Sequence, residues 1–230
     1  FLGAVDERIA QVTRKKALLE DYKKGCMQQL FSQSIRFKDD QGNDFPDWEE
    51  LPFGKVVSRS KDKFDPRKDN DTPQLIELEN IESTTGKIMG VSSLEGQKSL
   101  KSHFRLGDVL FSKLRPYLRK YALPNFDGVC TSEIWVLQSR KLQAAFLFYM
   151  VQSEHFMQLA NLSSGSKMPR AEWNVIADSE FGIPHPDEQQ KIAGFLSAID
   201  TKIDLVAKEL EQTKTFKKGL LQQMFVGGAR

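Results

Sequence analysis

Two matched helical segments around one unlike, strand-bearing segment make this an α+β protein. It reads as a globular domain with mainly antiparallel strands, flanked by two long helices that pair as an antiparallel coiled coil. The first reason is a repeat. Residues 1–31 and 195–225 align without a gap at an offset of 194 and agree at twelve positions, among them Asp6/Asp200, Ile9/Ile203, Val12/Val206, Lys23/Lys217 and Phe31/Phe225. A repeat this widely spaced is no solenoid period; it brackets a different domain. The second reason is the period inside each copy. Val5, Ile9, Val12, Lys16, Leu19, Lys23, Cys26 and Leu30 follow spacings of four and three, as do Ile199, Ile203, Val206, Leu210, Thr213, Lys217, Leu220 and Met224. Such a narrow stripe is a coiled-coil seam. The third is that the segment between them lacks regular βαβ units and carries short apolar runs set off by turn residues.

Residues 1–31 contain no proline and form the first helix. At 1.5 Å per residue such a helix is about 46 Å long, and its seam needs a partner. The simplest partner is its twin. The domain leaves the end of one helix and returns to the start of the other, so the pair is expected to run antiparallel. Residues 32–44 are polar and turn-rich and read as a linker. The domain spans 45–185. Trp48, Leu51, Phe53, Val56 and Val57 are its first apolar anchors, and 58–73, charged and with two prolines, reads as an exposed loop. Residues 74–90 read as a strand ending in a turn at Thr85-Gly86, 104–114 as a Gly-Asp turn followed by a strand, and 128–139 as one β-branched, aromatic strand. Residues 141–160 have no breaker and read as one buried helix. Residues 161–173 form a Gly/Ser/Pro loop. A short strand then passes through Pro184 and Pro186 into the second helix, 186–226, with Asp187 placed to cap it, Glu188 in its positive first turn, and 227–230 as a tail.

Composition narrows the function. With 40% apolar and 28% charged residues the chain is an ordinary globular one. Thirty-three Lys and Arg against 31 Asp and Glu leave a net charge of +2, so nucleic-acid contact has to come from local clusters. Cys26 and Cys130 cannot make a disulfide framework, which fits a reducing cytoplasm. No apolar run is long enough for a membrane span. The sequence opens at Phe1, inside its own repeat, which points to a longer natural product.

Signals for catalysis are poor. His103, His155 and His185 have no ligand-like spacing, and no glycine-rich phosphate loop follows a strand. A nuclease-like set can be assembled from Asp187, Asp200 and Lys202, but these lie along a coiled-coil helix instead of converging in a cleft. The basic clusters carry more. SKLRPYLRK (112–120) gathers Lys113, Arg115, Arg119 and Lys120 around Tyr117, and GSKMPR (165–170) adds Ser166, Lys167 and Arg170. Arg59 and Lys61 head the charged segment that follows Val57. Arginine forks suit guanine edges, so Arg115 or Arg170 is expected at bases, with Lys113, Lys120 and Lys167 at phosphates. Taken separately, each cluster is equally a solvated loop, and the chain equally a coiled-coil scaffold or dimerisation protein whose central domain binds protein.

The run GIPHPDEQQKIAGFLSAID (182–200), continued by KKGLLQQMF (217–225), resembles the junction and conserved helix of the DNA sequence-specificity subunits of type I restriction–modification systems. GDVLFSKLRPYLRK (107–120), TSEIWVL (131–137) and GSKMPRAEW (165–173) resemble their target-recognition domains, as do Trp48, Leu51, Gly54, Ile81 and Gly86. Members run recognition domain, helix, second recognition domain, second helix; this chain matches the second half. The resemblance implies a non-catalytic chain in which 45–185 reads one half of a bipartite target in double-stranded DNA. The helices act as spacer arms and dock methyltransferase (modification) subunits, and a motor/endonuclease subunit joins through the complex. It implies no cofactor on this chain: S-adenosylmethionine belongs to the methyltransferase, ATP and magnesium to the motor. Two copies of such a half are expected to associate with two-fold symmetry, so mimicking a whole subunit.

Overall fold

The computed structural model describes residues 2–69, 71–162 and 167–226, the side chains of 225 and 226 excepted. In chain order the first elements are α1 (Leu2–Phe31), β1 (Glu49–Pro52), α2 (Phe53–Val56), β2 (Val57–Arg59), β3 (Lys63–Phe64), β4 (Leu75–Ile76), β5 (Lys101–Phe104) and β6 (Val109–Ser112). They are followed by β7 (Tyr121–Ala122), β8 (Gly128–Thr131), β9 (Ile134–Ser139), α3 (Ala144–Met150), α4 (Glu154–Ala160), α5 (Trp173–Ala177), β10 (Glu180–Ile183) and α6 (Pro186–Val226). The chain divides into a helical unit, up to Ile35 and from Gly194 onward, and a globular unit between them.

In the helical unit, every seam residue of α1 is buried or half-buried, and so is each seam residue of α6 from Ile199 to Leu220; Met224 is exposed. Val12, Val206 and Leu210 form its core, with Ile9 and Leu19 packed against them. The pairing is antiparallel, as expected. Lys23 meets Asp200 at 2.7 Å and Lys217 meets Asp6 at 2.5 Å, two ion pairs built from the same two repeat positions in opposite copies. Reversing one charge, Lys23→Glu, sets two carboxylates together and should destabilise the pair by on the order of 1 kcal/mol. Adding Asp200→Lys should restore the thermal midpoint followed by helical circular dichroism; absence of rescue would refute the pairing.

In the globular unit, two four-stranded sheets share one core. One has the order β2-β9-β6-β7 and is antiparallel throughout; the other, β3-β5-β8-β4, is antiparallel except for β4 against β8. Ile76, Phe104 and Cys130 from the second sheet pack with Leu110, Ala122, Ile134 and Val136 from the first. Burial raises the Cys130 thiol pKa to about 12, so it stays protonated at neutral pH. Gly128 has no room for a side chain: an added Cβ would lie 2.5 Å from the Gln74 carbonyl oxygen. A two-stranded sheet of β1 and β10 completes the unit.

Several local expectations need correction. Residues 128–139 are two strands in different sheets, separated by a turn at Ser132–Glu133. Residues 141–160 are two helices; Ser153 ends the run and accepts the Phe156 amide at 3.3 Å as cap of α4. The segment 58–73 is no simple loop, since it ends β2 and contains β3 with Phe64 buried. The strand in 74–90 is only Leu75–Ile76, followed by a 3-10 turn at Leu78–Asn80; the later turn holds, with Gly86 at φ +76°. Asp187 lies inside α6 and is not its cap; the residue before the helix is His185, whose Nδ1 accepts the Asp187 amide at 3.3 Å.

Glu188 stands in the first turn of α6, as expected, and is fully buried there. It accepts Arg36 Nε and Nη2 at 3.2 and 2.8 Å and Trp48 Nε1 at 3.0 Å. The carboxylate raises the Arg36 pKa, chiefly through that hydrogen bond. Gln189 accepts the Gln143 amide at 2.9 Å and donates to the Pro184 carbonyl at 3.0 Å. Glu188 and Gln189 thus tie the start of α6 to three separate stretches of the unit, at Arg36, Trp48 and Gln143.

Candidate nucleic-acid interface

The two basic clusters meet. The Arg115 amide donates to Pro169 O at 2.8 Å, and the Ala171 amide donates to Lys113 O at 2.8 Å. These bonds join 113–115 to 169–171 as a bridge between Leu114 and Arg170. Within the first cluster, Arg115 and Arg119 both hold left-handed backbone, at φ 49° and 50°, on either side of a 3-10 turn at Pro116–Leu118. Left-handed geometry costs a non-glycine residue roughly 1–2 kcal/mol, and here it frames an outward bulge with Tyr117 55% exposed. Strain of this kind is characteristic of functional loops.

The side chains of the clusters divide into two groups. Arg170 grips Glu133 with Nε at 3.0 Å and Nη2 at 3.1 Å, and Lys113 stands 4.0 Å from the same carboxylate. That fork holds the Glu133 carboxyl below its usual pKa and raises that of Arg170. Arg119 pairs with Glu154 at 2.9 Å, and Lys120 Nζ donates to the Leu78 carbonyl. Arg115, Lys61 and Lys167 are exposed, with no side-chain partner among the described residues. Ser166 lies outside the described residues, as do Ser163, Ser164 and Gly165.

Lys113 also borders a cleft of about 470 Å³ that was not anticipated as a unit. Arg59, Lys61 and Lys63 line it together with Lys113. Ser58, Ser60, Ser102 and Ser132 contribute neutral hydroxyls, and among the described residues no carboxylate lines it. Its wall holds Trp135 and Trp173, whose rings meet edge-on at 5.6 Å. The Arg59 guanidinium carbon sits 4.7 Å from the Trp173 ring centre and 5.5 Å from that of Trp135. Desolvation there lowers the Arg59 pKa. Gly54 lets α2 approach α5: an added Cβ would sit 3.0 Å from that of Ala177. The run Ser58-Arg59-Ser60-Lys61, with Lys63 two residues on, was a visible signal of the cleft; the tryptophans, Ser102 and Ser132 gave none, being distant in sequence. Among the described residues no group of three or more His, Cys, Asp or Glu could hold a metal, and no helix is long and apolar enough to cross a membrane.

Residues 47–215 match the family model described as the type I restriction modification DNA specificity domain. The type I restriction enzyme MjaVIII specificity subunit of Methanocaldococcus jannaschii is 25% identical over 251 residues, covering 100% of this chain and 59% of the relative. The EcoDI specificity subunit of Escherichia coli is 27% identical over 188 residues, covering 80% of this chain and 41% of the relative. The chain therefore spans about half the length of these curated relatives. Among solved structures, a type I restriction-modification S subunit from M. genitalium superposes with a TM-score of 0.61 at 12% identity, over 96% of this chain and 58% of that one. The HsdS subunit of Thermoanaerobacter tengcongensis gives 0.54 at 16% identity, over 96% and 55%. With α1 and α6 around a mainly antiparallel domain in the same fold, and the family match running across most of its length, the chain belongs to the type I restriction modification DNA specificity domain family.

Proposed function

We propose that this chain reads one half of a bipartite DNA target for a type I restriction–modification complex, and that the chemistry takes place on other chains. One observation carries the reading: two basic clusters, distant in sequence, are hydrogen-bonded into one face that continues at Lys113 into a cleft where cations and no carboxylate are found among the described lining residues. Arg115, Tyr117, Lys61 and Lys167 form the outer contact set. Arg119, Lys120 and Arg170, held by internal partners, keep the loops in shape. Phosphate contacts fix the register of a duplex, and base edges then supply sequence.

The helical unit serves as spacer and docking arm. Leu18, Tyr22, Leu205 and Phe216 are exposed on it, apolar side chains suited to meeting helices of methyltransferase subunits, which in turn recruit the motor/endonuclease subunit. A helix of about 45 Å is long enough to hold two reading domains one turn of DNA apart, about 34–36 Å. A second copy of the chain, related by a two-fold axis, would supply the other reading domain. This reading puts the work in the cytoplasm, and two cysteines with no disulfide framework support it.

The test is duplex binding as a function of salt. Neutralising several phosphates makes affinity fall steeply with salt, and Lys61→Ala should lower the log–log slope by about 1 while weakening all duplexes alike. A complex that forms only with protein and ignores salt would replace this reading with that of a coiled-coil scaffold.

A further inference from the structure

We propose that Arg59 is the side chain that selects a guanine in the target duplex, with Trp135 and Trp173 as its positioning residues; this rests on the DNA-reading function above. Arg59 differs from three other arginines of the globular unit. Arg170, Arg119 and Arg36 are each committed to a carboxylate. The Arg59 guanidinium instead rests against two indoles set at 84° to one another, and its N–H donors have no partner among the described residues. A cation on an aromatic face is held without consuming its hydrogen-bonding edge.

The corner that holds it is rigid. Trp135 stacks on Phe111 at 6.1 Å, and Trp173 meets Phe53 edge-on at 6.1 Å; both phenylalanines are completely buried. The backbone is fixed as well. Arg59 lies opposite Leu137 in the β2–β9 ladder, and the next amide, that of Ser60, donates to Val136 O at 2.8 Å. An exposed arginine normally loses much rotamer freedom on binding, whereas here that loss has already occurred on folding.

Orientation separates a base reader from a phosphate contact. A mobile lysine serves a phosphate, and Lys61 and Lys63 already border the cleft for that purpose. A planar fork held at a fixed angle suits a rigid pair of acceptors in one plane, and among base edges that pair is O6 and N7 of guanine in the major groove. With no carboxylate among the described residues that line the cleft, an incoming guanine meets no competing anion for the fork there.

The full-length protein, in complex with its partner subunits, should be offered a randomised duplex library, and the methylated motif read by sequencing. Arg59→Lys keeps the charge and loses the fork. Discrimination at one guanine should then fall by about ten-fold or more, with other positions of the motif and the salt slope unchanged. Trp173→Leu should weaken discrimination at that same base pair alone, which a general packing defect would not do. The proposal is overturned if Arg59→Lys leaves the motif intact, or if Arg59→Ala merely weakens every duplex alike and lowers the salt slope by about 1, the signature of a phosphate contact. If the wild-type complex enriches no sequence at all, the DNA-reading function itself fails, an outcome distinct from either of these.

Discussion

Glu188→Ala is expected to destabilise the globular unit by roughly 3 kcal/mol, the lower end of the range for breaking a buried ion pair. The carboxylate is fully buried and accepts three donors, two from Arg36 and one from the Trp48 indole. Alanine leaves the indole N–H without its acceptor and strands the Arg36 charge. Arg36 keeps Asp47 at 3.3 Å and the carbonyls of Phe45 and Pro46, and it is partly exposed, which is why the loss stays at the low end. Glu188→Gln retains an acceptor for Trp48 and should lose about half as much. The denaturant midpoint at unchanged m-value reads both variants. A shift below about 1 kcal/mol for alanine would mean that the pair contributes little beyond its packing.

Phe156→Ala should cost roughly 3–5 kcal/mol, the usual loss for a large buried ring. Phe156 is completely buried, 5.0 Å from the ring of Phe111 and 5.5 Å from that of Phe53. Those two rings hold Trp135 and Trp173, so the cavity opens directly behind the tryptophan corner. Thermal unfolding should show a drop of about ten degrees, and Phe156→Leu, which refills most of the space, a much smaller one. Equal midpoints for the two variants would show that the site collapses around the smaller side chain.

The parts of this protein that could be read in advance are those whose signal is local or periodic. The α1 and α6 seams were legible because a four-three spacing runs for 26 residues with a matching copy elsewhere. The β6 strand was legible because Gly107-Asp108 marks its start. Elements of two to five residues, such as β3, β4, β7 and α5, are too short to establish any period. The break at Ser153 and the turn at Ser132–Glu133 contain neither glycine nor proline, and tertiary packing decides both. The candidate site divides the same way. The clusters around Arg115 and Lys167 stand out as charge runs, but nothing local says that they adjoin. Nor could it be read that Glu133, 37 positions from Arg170, occupies the fork expected at a base. The cleft is assembled from five stretches of chain, and its tryptophans are 38 residues apart.

The reciprocal ion pairs of the helical unit constrain how this sequence can drift. Asp6 answers to Lys217 and Lys23 to Asp200, so each repeat carries one half of both contacts. A change fixed in one copy finds its compensation in the other, at the complementary position and not at the equivalent one. Coevolution should therefore couple 6 with 217 and 23 with 200, leaving 6 and 23 to vary independently. A later copying of one repeat over the other would restore both contacts only where the donor copy still carries opposite charges at its two positions.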